Sequence, residues 1–482
     1  MKYNIEVVLI ASEVIPFSKT GGLADVAGSL PKALAQIGVK VTVFSPFYLS
    51  TKSQFKTQRP KKRAELIIKV GERMKTGQVY HSQQASVDFY FIANKEYFER
   101  EFLYGSEKGD YPDNGQRFIF FSKAVLESMT ELNIKPDIIH CHDWQTALVP
   151  LYLKTIYSHN FSQAKTVFTI HNLGYQGMFS QDTFYDIGVA QRFFTPDTLE
   201  FYGKVNFLKA GLLYADLLTT VSPTYAKEIQ TKEFGFGLDK VLSMRSNDLS
   251  GIINGIDYSI WDPAKDKFIT PNYNIETIAL KQKIKAQLAQ ELNLNLSADE
   301  PLIGFVGRLA RQKGIEIIIA AANQIIENAG LVILGTGEEK YHRSLIELQS
   351  RLPKRISANL SFNDPLAHRI YAGSDIFLMP SHYEPCGLGQ MIAFKYGSLP
   401  VGFKTGGLAD TIIDYSLDSE KANGFLFDNY NADDFLTKLS EAINLYKQNE
   451  RWQNLKKRAM GLDFSWHNSA QQYLELYSKL IK

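Results

Sequence analysis

Short apolar runs alternate with helix-length amphipathic segments along almost the whole chain. The runs with the length of a buried strand lie at residues 5–11, 39–45, 137–141, 166–170, 217–221, 302–306, 331–334, 376–379 and 399–403. Apolar strands separated by helices are typical of parallel sheets covered by helices on both faces. Residues 79–93 differ, because Val87, Phe89 and Phe91 alternate with other residues and predict antiparallel strands inserted at a sheet edge. The predicted fold class is therefore α/β, with doubly wound parallel sheets.

The length of the chain indicates more than one domain. Its 482 residues exceed one ordinary core and fit two domains of roughly 200 residues or more each. A boundary is predicted at 251–257, where a strand ends in an Asn-Gly turn and a polar linker follows. Residues 1–252 then form the first domain and residues 253–464 the second. The first helix of the second domain is predicted to be a long one at 276–292.

Composition and charge exclude several classes of protein. The 53 basic and 51 acidic residues give a net charge of +2, so no overall field favours nucleic acid or an anionic membrane. The basic segment at 59–63 is interpreted as a solvated loop. No apolar stretch approaches the ~18 residues of a membrane span, and Glu6 interrupts the first apolar run, which is read as a strand instead of a signal peptide. Two cysteines are too few for a disulfide framework, which predicts a reducing, cytoplasmic location.

The heptapeptide Lys-Thr-Gly-Gly-Leu-Ala-Asp occurs twice, at 19–25 and at 404–410. Each copy follows an apolar run, near Pro16 in the first and Pro400 in the second. A Gly-Gly pair that opens a helix leaves backbone N–H groups unshielded, and the helix dipole there favours phosphate. We expect one anion to be held between the two loops, and two ordinary strand-to-helix turns are the alternative.

Charged side chains follow two apolar runs of the second half. Arg308 and Lys313 lie in a glycine-rich loop after one run and suit a diphosphate, although they could also be surface cations flanking a turn. Glu384 follows another run and is expected to contact sugar hydroxyls or a developing positive charge, with a helix cap as the alternative. Nearby Cys386 is interpreted as a small packing residue and not as a nucleophile.

Polar residues follow two neighbouring runs of the first half. His140 and His142 alternate on one predicted strand, Asp143 follows it, and His171 follows the next. A metal site is disfavoured, because no cysteine or carboxylate pair with a familiar ligand spacing joins them. We assign sugar contacts to His171 and Asp143, and an interior position to His140.

A polar and aromatic loop with Tyr104 and the segment at 110–114 precedes an apolar helix. Such a loop suits a carbohydrate, because C–H faces stack on rings and hydroxyls bond to amides. An ordinary capped loop fits equally well.

Together these segments resemble the bacterial glycogen and plant starch synthases. The shared motifs are Lys-Thr-Gly-Gly-Leu-Ala-Asp at 19–25, Asp-Tyr-Pro-Asp-Asn at 110–114, His-Asp-Trp at 142–144, Thr-Ile-His-Asn-Leu at 169–173, Asn-Gly-Ile-Asp at 254–257, Gly-Arg-Leu with Gln-Lys-Gly at 307–314, and Glu-Pro-Cys-Gly-Leu at 384–388. The resemblance implies a GT-B fold, with two doubly wound Rossmann-like domains facing a central cleft and residues 465–482 packing back on the first. The first domain would serve the acceptor and the second the nucleotide sugar.

The implied reaction transfers glucose from ADP-glucose to the 4-hydroxyl at the non-reducing end of an α-1,4-glucan such as glycogen, with retention and without cofactor or metal. Arg308 and Lys313, joined by Lys19 and the loop at 21–22, would stabilise the departing ADP. Glu384 would bind hydroxyls of the transferred glucose.

On the other side of the reaction, His171 would contact the 6-hydroxyl of the glucose and offer a carbonyl near the anomeric carbon. Asp143 would support sugar or acceptor, Tyr104 the acceptor, and Asn254 the donor. The catalytic set implied is Glu384, His171, Asp143, Arg308 and Lys313. The further substrate-binding set is Lys19, Gly21, Gly22, Asp25, Glu13, Tyr104, Asn172, Asn254, Phe362, Cys386, Gly387, Leu388, Thr405, Gly406 and Gly407.

Two positions depart from the wider pattern. Many related transferases carry a second glutamate where Ile392 stands, but the synthase branch usually lacks it, so Ile392 agrees with the resemblance. Gln145 replaces a histidine that is common in the family. Phe362 is expected to lie beside the adenine base of the nucleotide. The preference for an adenine nucleotide is therefore inferred from the resemblance alone. An α-glucan phosphorylase, which needs pyridoxal phosphate, and a non-catalytic glucan-binding paralogue are the competing readings. The intact set of Lys19, Arg308, Lys313 and Glu384 argues against the paralogue, because binding alone would not need cations gathered for a leaving diphosphate.

Overall fold

The computed structural model describes residues 5–55, 59–106, 109–297 and 299–482. It divides into two compact units. The first comprises Met1–Val221, Ala226–Gly255 and Trp466–Lys482, and the second comprises Ser222–Tyr225 and Ile256–Ser465. Apart from the four residues Ser222–Tyr225, the main chain passes between units after Gly255 and after Ser465, whereas the sequence placed these boundaries after residues 252 and 464.

Within the described residues, the first unit is built on a nine-stranded sheet with two small accessory sheets. Its strands are β1 (Glu6–Ile10), β2 (Lys40–Pro46), β3 (Lys61–Val70), β4 (Arg73–Gln84), β5 (Val87–Ala93), β6 (Gly105–Ser106), β7 (Gly109–Asp110), β8 (Ile138–His142), β9 (Lys165–Ile170), β10 (Met178–Ser180), β11 (Glu200–Phe201), β12 (Lys204–Asn206), β13 (Leu217–Thr220) and β14 (Leu249–Gly251). The large sheet has the order β14-β13-β9-β8-β1-β2-β5-β4-β3.

Most of this sheet is parallel, but β3, β4 and β5 pair antiparallel at one edge. The predicted edge insertion is therefore confirmed. The interpretation of residues 59–63 as a loop is wrong for its second half, because Lys61, Lys62 and Arg63 begin the edge strand β3. Their side chains are exposed there, and an edge strand tolerates charges because its outer backbone groups face water.

Helices cover this sheet. The helices of this part of the chain are α1 (Gly22–Gln36), α2 (Leu49–Gln54), α3 (Lys95–Phe98), α4 (Asn114–Glu131), α5 (Leu148–Lys154), α6 (Asp182–Ile187), α7 (Phe207–Tyr214), α8 (Pro223–Glu228) and α9 (Asp239–Met244). The first half of α8 belongs to the segment assigned to the second unit. Helix α1 buries Leu23, Val26, Ala27, Leu30 and Leu34, which recur at helical spacing and place one apolar face on the sheet.

The second unit has a six-stranded, wholly parallel sheet among the residues described. Its strands are β15 (Leu302–Val306), β16 (Gly330–Leu334), β17 (Ile356–Asn359), β18 (Ile376–Met379), β19 (Leu399–Phe403) and β20 (Phe425–Phe427). Its helices are α10 (Lys281–Glu291), α11 (Ile315–Ile326), α12 (Glu339–Arg351), α13 (Asp364–Gly373), α14 (Gly389–Lys395), α15 (Gly406–Thr411), α16 (Ala432–Tyr446) and α17 (Asn449–Met460). The helix predicted at 276–292 is α10, preceded by the short 3₁₀ turn Ile278–Leu280.

In both sheets, successive strands of the chain are added first to one side of a starting strand and then to its other side, so the strand order reverses at one point. In the second unit the order β17-β16-β15-β18-β19-β20 reverses between β15 and β18, and in the first the reversal lies between β1 and β8. Ligands of doubly wound sheets bind beyond the carboxyl ends of the strands at this reversal. The residues after β1, β8, β15 and β18 are therefore the primary candidates for each unit's site.

The last helix, α18 (Trp466–Leu480), belongs to the first unit. It packs on α1 and buries Trp466, Ala470, Tyr473 and Tyr477 in the core of that unit. Burying one such aromatic side chain contributes about 1.5–3 kcal/mol, so this helix is a stable part of the first unit.

Candidate active site

The loop after β1 is organised by the carboxylate of Glu13, which is only 4% exposed. Glu13 accepts hydrogen bonds from the backbone N–H of Thr20 and of Gly21, and from the hydroxyl of Thr20. The hydroxyl of Tyr104 also donates to it, over 3.2 Å. Burial raises the pKa of Glu13, and these donors lower it in part. Glu13 thus holds the first heptapeptide and Tyr104 in one arrangement.

The first heptapeptide leaves open space at Gly21. Gly21 precedes α1 with extended backbone at φ −148°, and a Cβ atom placed on it would have no neighbour within 4 Å. Neither backbone nor packing therefore requires glycine here. A bare backbone at the start of a fifteen-residue helix suits close approach of a phosphate. Lys19 lies beside it, 47% exposed, with Nζ 2.8 Å from Asp25.

The second heptapeptide, although identical in sequence, is packed differently. A Cβ on Gly406 would lie 2.0 Å from the carbonyl oxygen of Glu384, and one on Gly407 would lie 2.0 Å from that of Cys386. The N–H of Gly407 donates to the Glu384 carbonyl, and Thr405 is buried. This copy follows β19, one strand beyond the reversal, and its Gly407 N–H supports the Glu384 loop; the anion held between the two loops stays a prediction.

Asp143 lies at the carboxyl end of β8 in the left-handed backbone region, at φ +57°. Its carboxylate accepts hydrogen bonds from the backbone N–H groups of His171 and Asn172, the first over 2.7 Å. Burial raises the pKa of Asp143 to about 7. The aspartate therefore fixes the backbone of the residues that follow β9.

A row of histidines runs from His171 into the core. Nε2 of His171 lies 2.9 Å from Nδ1 of His142, whose ring packs on that of His140 at 4.2 Å between centroids. Burial lowers the pKa of His171 and His140 to about 3 each, so both are neutral at ordinary pH. His140 bonds to Thr169 and to Tyr477 of α18, which confirms its interior position.

Two further predicted residues of the first unit are polar groups with different roles. Asn172 accepts from the N–H of Gly174 and shapes the turn after β9. Asn254 is 6% exposed, and its Oδ1 has no hydrogen-bond partner within the part of the chain that is described. A buried acceptor of this kind is suited to receive a ligand hydroxyl.

In the second unit, Lys313 and Glu384 form an ion pair. Lys313 Nζ lies 2.6 Å from Glu384 Oε2, and the hydroxyl of Ser381 donates to the same oxygen over 2.8 Å. The glutamate side chain is 6% exposed and the lysine side chain 23%. Gly314 permits the approach, because its φ is +69° and a Cβ would lie 1.8 Å from the Pro380 carbonyl.

The remaining predicted residues of the second unit lie on the loops that follow β15, β17 and β18. Arg308 is exposed on the loop after β15. Cys386 is buried, Gly387 turns the chain with φ +73°, and Leu388 precedes α14. Phe362 is 83% exposed between β17 and α13, which leaves its face accessible to an aromatic ligand such as a base.

Sequence reasoning missed three side chains of these sites. Ser381 bonds to Glu384, Ser12 lies 2.6 Å from the Tyr104 hydroxyl, and His142 contacts His171. Each is within three residues of a predicted one, so proximity along the chain was the available signal.

Over the described ranges, no group of three or more His, Cys, Asp or Glu residues could hold a metal ion. No described helix is long and apolar enough to cross a membrane.

Family models cover most of the chain. The starch synthase catalytic domain matches residues 6–244, and glycosyl transferases group 1 matches residues 288–459. Glycogen synthase of Geotalea daltonii is 47% identical over 481 residues, and that of Thermotoga maritima 43% over 491, each alignment covering 99% of both chains.

Solved structures agree with these matches. The catalytic domain of starch synthase IV from Arabidopsis thaliana, bound to ADP and acarbose, is 35% identical with a TM-score of 0.91, covering 99% of this chain and 100% of that chain. Sucrose-phosphate synthase from Thermosynechococcus elongatus, at 19% identity and a TM-score of 0.62 over 99% of both chains, shares the fold.

Proposed function

The chain belongs to the glycogen and starch synthase family of GT-B hexosyltransferases, and on this basis we propose that it extends glycogen. The reaction is transfer of glucose from ADP-glucose to the 4-hydroxyl at the non-reducing end of an α-1,4-glucan, with retention of the α-anomer. The starch synthase that binds ADP supports an adenosine diphosphate donor.

The observation that carries this proposal is the Lys313–Glu384 pair at the strand reversal of the second unit. The three N–H donors of a lysine ammonium can bond a carboxylate and a phosphate oxygen at once. The adjoining carboxylate is repelled by phosphate and accepts hydrogen bonds from sugar hydroxyls. A cation and a carboxylate at 2.6 Å therefore match the junction between a diphosphate and its glucose.

The chemical step is driven by stabilising the leaving group. As the bond from the anomeric carbon to the phosphate oxygen breaks, negative charge grows on the diphosphate. Lys313 and Arg308 supply positive charge to it, and a metal is not needed for this role. The N–H groups of Thr20 and Gly21 are bonded to Glu13, so Lys19 and the N-terminal end of α1 supply the second set of phosphate contacts.

The acceptor and the glucose are positioned by the first unit. Asp143 bonds the backbone amides of His171 and Asn172 and so orients the His171 carbonyl and ring. A neutral imidazole can exchange hydrogen bonds with a sugar hydroxyl without adding charge. Tyr104 and the buried Asn254 offer further polar contacts.

The test is a donor comparison with glycogen as acceptor. ADP release and incorporation of labelled glucose should both depend on glycogen, and ADP-glucose should react faster than UDP-glucose at matched concentrations. A faster UDP-glucose reaction would contradict the nucleotide assignment alone. Phosphorolysis of glycogen by inorganic phosphate would instead identify a phosphorylase, and glycogen binding without ADP release would identify a non-catalytic binding protein.

A further inference from the structure

Two exposed aromatic residues of the first unit hold the same unusual backbone conformation. Tyr202 and Phe236 have φ of +50° and +48°, and each is followed by a glycine with positive φ, Gly203 and Gly237. Two central residues with positive φ define a type I′ turn, whose first position favours Asn, Asp or Gly. Bulky side chains are rare there because the left-handed region is strained for them. Strained residues of this kind cluster at binding sites.

The two turns lie against each other. A Cβ on Gly237 would be 2.9 Å from the ring of Phe201 and 3.6 Å from that of Tyr202. The Tyr202 side chain is nevertheless 84% exposed and that of Phe236 40%. The pair therefore presents aromatic surface to solvent from one rigid patch.

Hydrogen bonds from buried side chains fix this patch to the body of the unit. Gln176 donates to the carbonyl of Phe236 over 3.1 Å, and its own amide oxygen accepts from Asn206 over 2.7 Å. Gln176 is 6% exposed and Asn206 fully buried. Lys209 donates to the carbonyl of Glu200 over 2.8 Å and holds the hairpin that carries Tyr202.

The patch is continuous with the candidate active site along the chain. The segment after β9 runs from His171 to Gln176, and it includes Tyr175, which is 49% exposed. We call Tyr175, Tyr202 and Phe236 the aromatic platform. Its surroundings carry both signs of charge, with exposed Lys232 and Glu233, so it has no cationic field for an anionic lipid.

We propose that the aromatic platform binds the α-1,4-glucan at glucose units behind the reacting end. Pyranose rings expose C–H faces that pack on aromatic rings, and a rigid, pre-formed platform loses little entropy when it binds them. This inference rests on the proposed function, because it takes the acceptor to be a long glucan. The platform would raise affinity for polymers without touching the reacting bond.

Asparagine substitutions test the proposal, since asparagine tolerates positive φ and removes the ring. We expect Tyr202→Asn with Phe236→Asn to raise KM for glycogen about tenfold, equivalent to about 1.4 kcal/mol, with kcat within about twofold. Rates with maltotriose should change less than rates with glycogen, because a three-glucose acceptor offers fewer units to the platform than the polymer does. The matched control is Tyr185→Asn, which removes another ring that is 60% exposed, and Tyr202→Trp should retain wild-type KM.

Binding without turnover gives an independent readout. Electrophoresis in gels containing glycogen should retard the wild type and the Tyr185 control more than the platform variants. Equal retardation of all, or an equal loss with maltotriose, would overturn the platform. If the wild type is retarded but transfers no glucose from ADP-glucose, the proposed function fails while the platform stands. Tyr202→Asn and Phe236→Asn are also assayed singly. If the double variant does not fold, the KM of each single variant for glycogen still tests the platform.

Discussion

Removing the lysine of the Lys313–Glu384 pair should reduce both stability and catalysis, by separable amounts. At an effective dielectric constant of about 20, opposite charges this close attract by about 6 kcal/mol before desolvation is counted. Losing one partner of a buried pair costs about 3–5 kcal/mol. Because the Lys313 side chain is 23% exposed, water can replace part of the interaction. We therefore expect Lys313→Ala to lower the free energy of unfolding by about 2–3 kcal/mol and kcat by about a hundredfold or more.

A second substitution separates the two effects. Glu384→Gln removes the stranded charge while its amide oxygen still accepts from Ser381, so the double variant Lys313→Ala with Glu384→Gln should recover most of the lost stability and none of the activity. Urea unfolding gives the stability, and initial rates of ADP release from ADP-glucose with glycogen give kcat and KM. Activity that returns together with stability, or a Lys313→Ala variant changed in KM alone, would refute the catalytic role.

Three other predictions follow from single residues. Gly21→Ala should change the free energy of unfolding by no more than about 0.5 kcal/mol but lower kcat/KM for ADP-glucose about tenfold. Gly407→Ala should lower the free energy of unfolding by about 1–3 kcal/mol, because its Cβ would clash with the Cys386 carbonyl. The reverse pattern in urea unfolding would contradict the assigned roles. Because the folded pKa of Asp143 is about 7 and the unfolded one about 4, its folded state binds the extra proton, and stability should fall as pH rises from 4 to 7. Asp143→Asn should flatten that slope, and identical slopes would disprove it. Phe362→Ala should raise KM for ADP-glucose about threefold to tenfold with kcat retained; an unchanged KM removes the base contact.

The sequence predicted what depends on local pattern. Apolar runs such as 302–306 and 376–379 became the strands β15 and β18, because buried parallel strands need continuous apolar residues. The loops after them carry Lys313 and Glu384, whose pairing follows from the strand order. Polar residues after adjacent strands of a parallel sheet must lie at the same edge.

What the sequence could not reveal depends on contacts between distant residues. Identical heptapeptides differ in structure because the first follows a strand at the reversal and the second does not, and only the strand order contains that information. The bond from Glu13 to Tyr104 joins residues 91 apart in the chain, and that from His140 to Tyr477 joins residues 337 apart. No local pattern predicts such pairs.

The placement of α18 sets the order in which the protein can be completed. A ribosome makes the first unit's sheet early, then the whole of Ile256–Ser465, and only afterwards the helix that covers α1 and bonds His140. Until then the surface of the first unit that α18 covers stays exposed. A chain terminated before Trp466 would contain every candidate site residue and still lack that cover. Such a shortened chain would expose the part of the first core that Trp466, Tyr473 and Tyr477 cover.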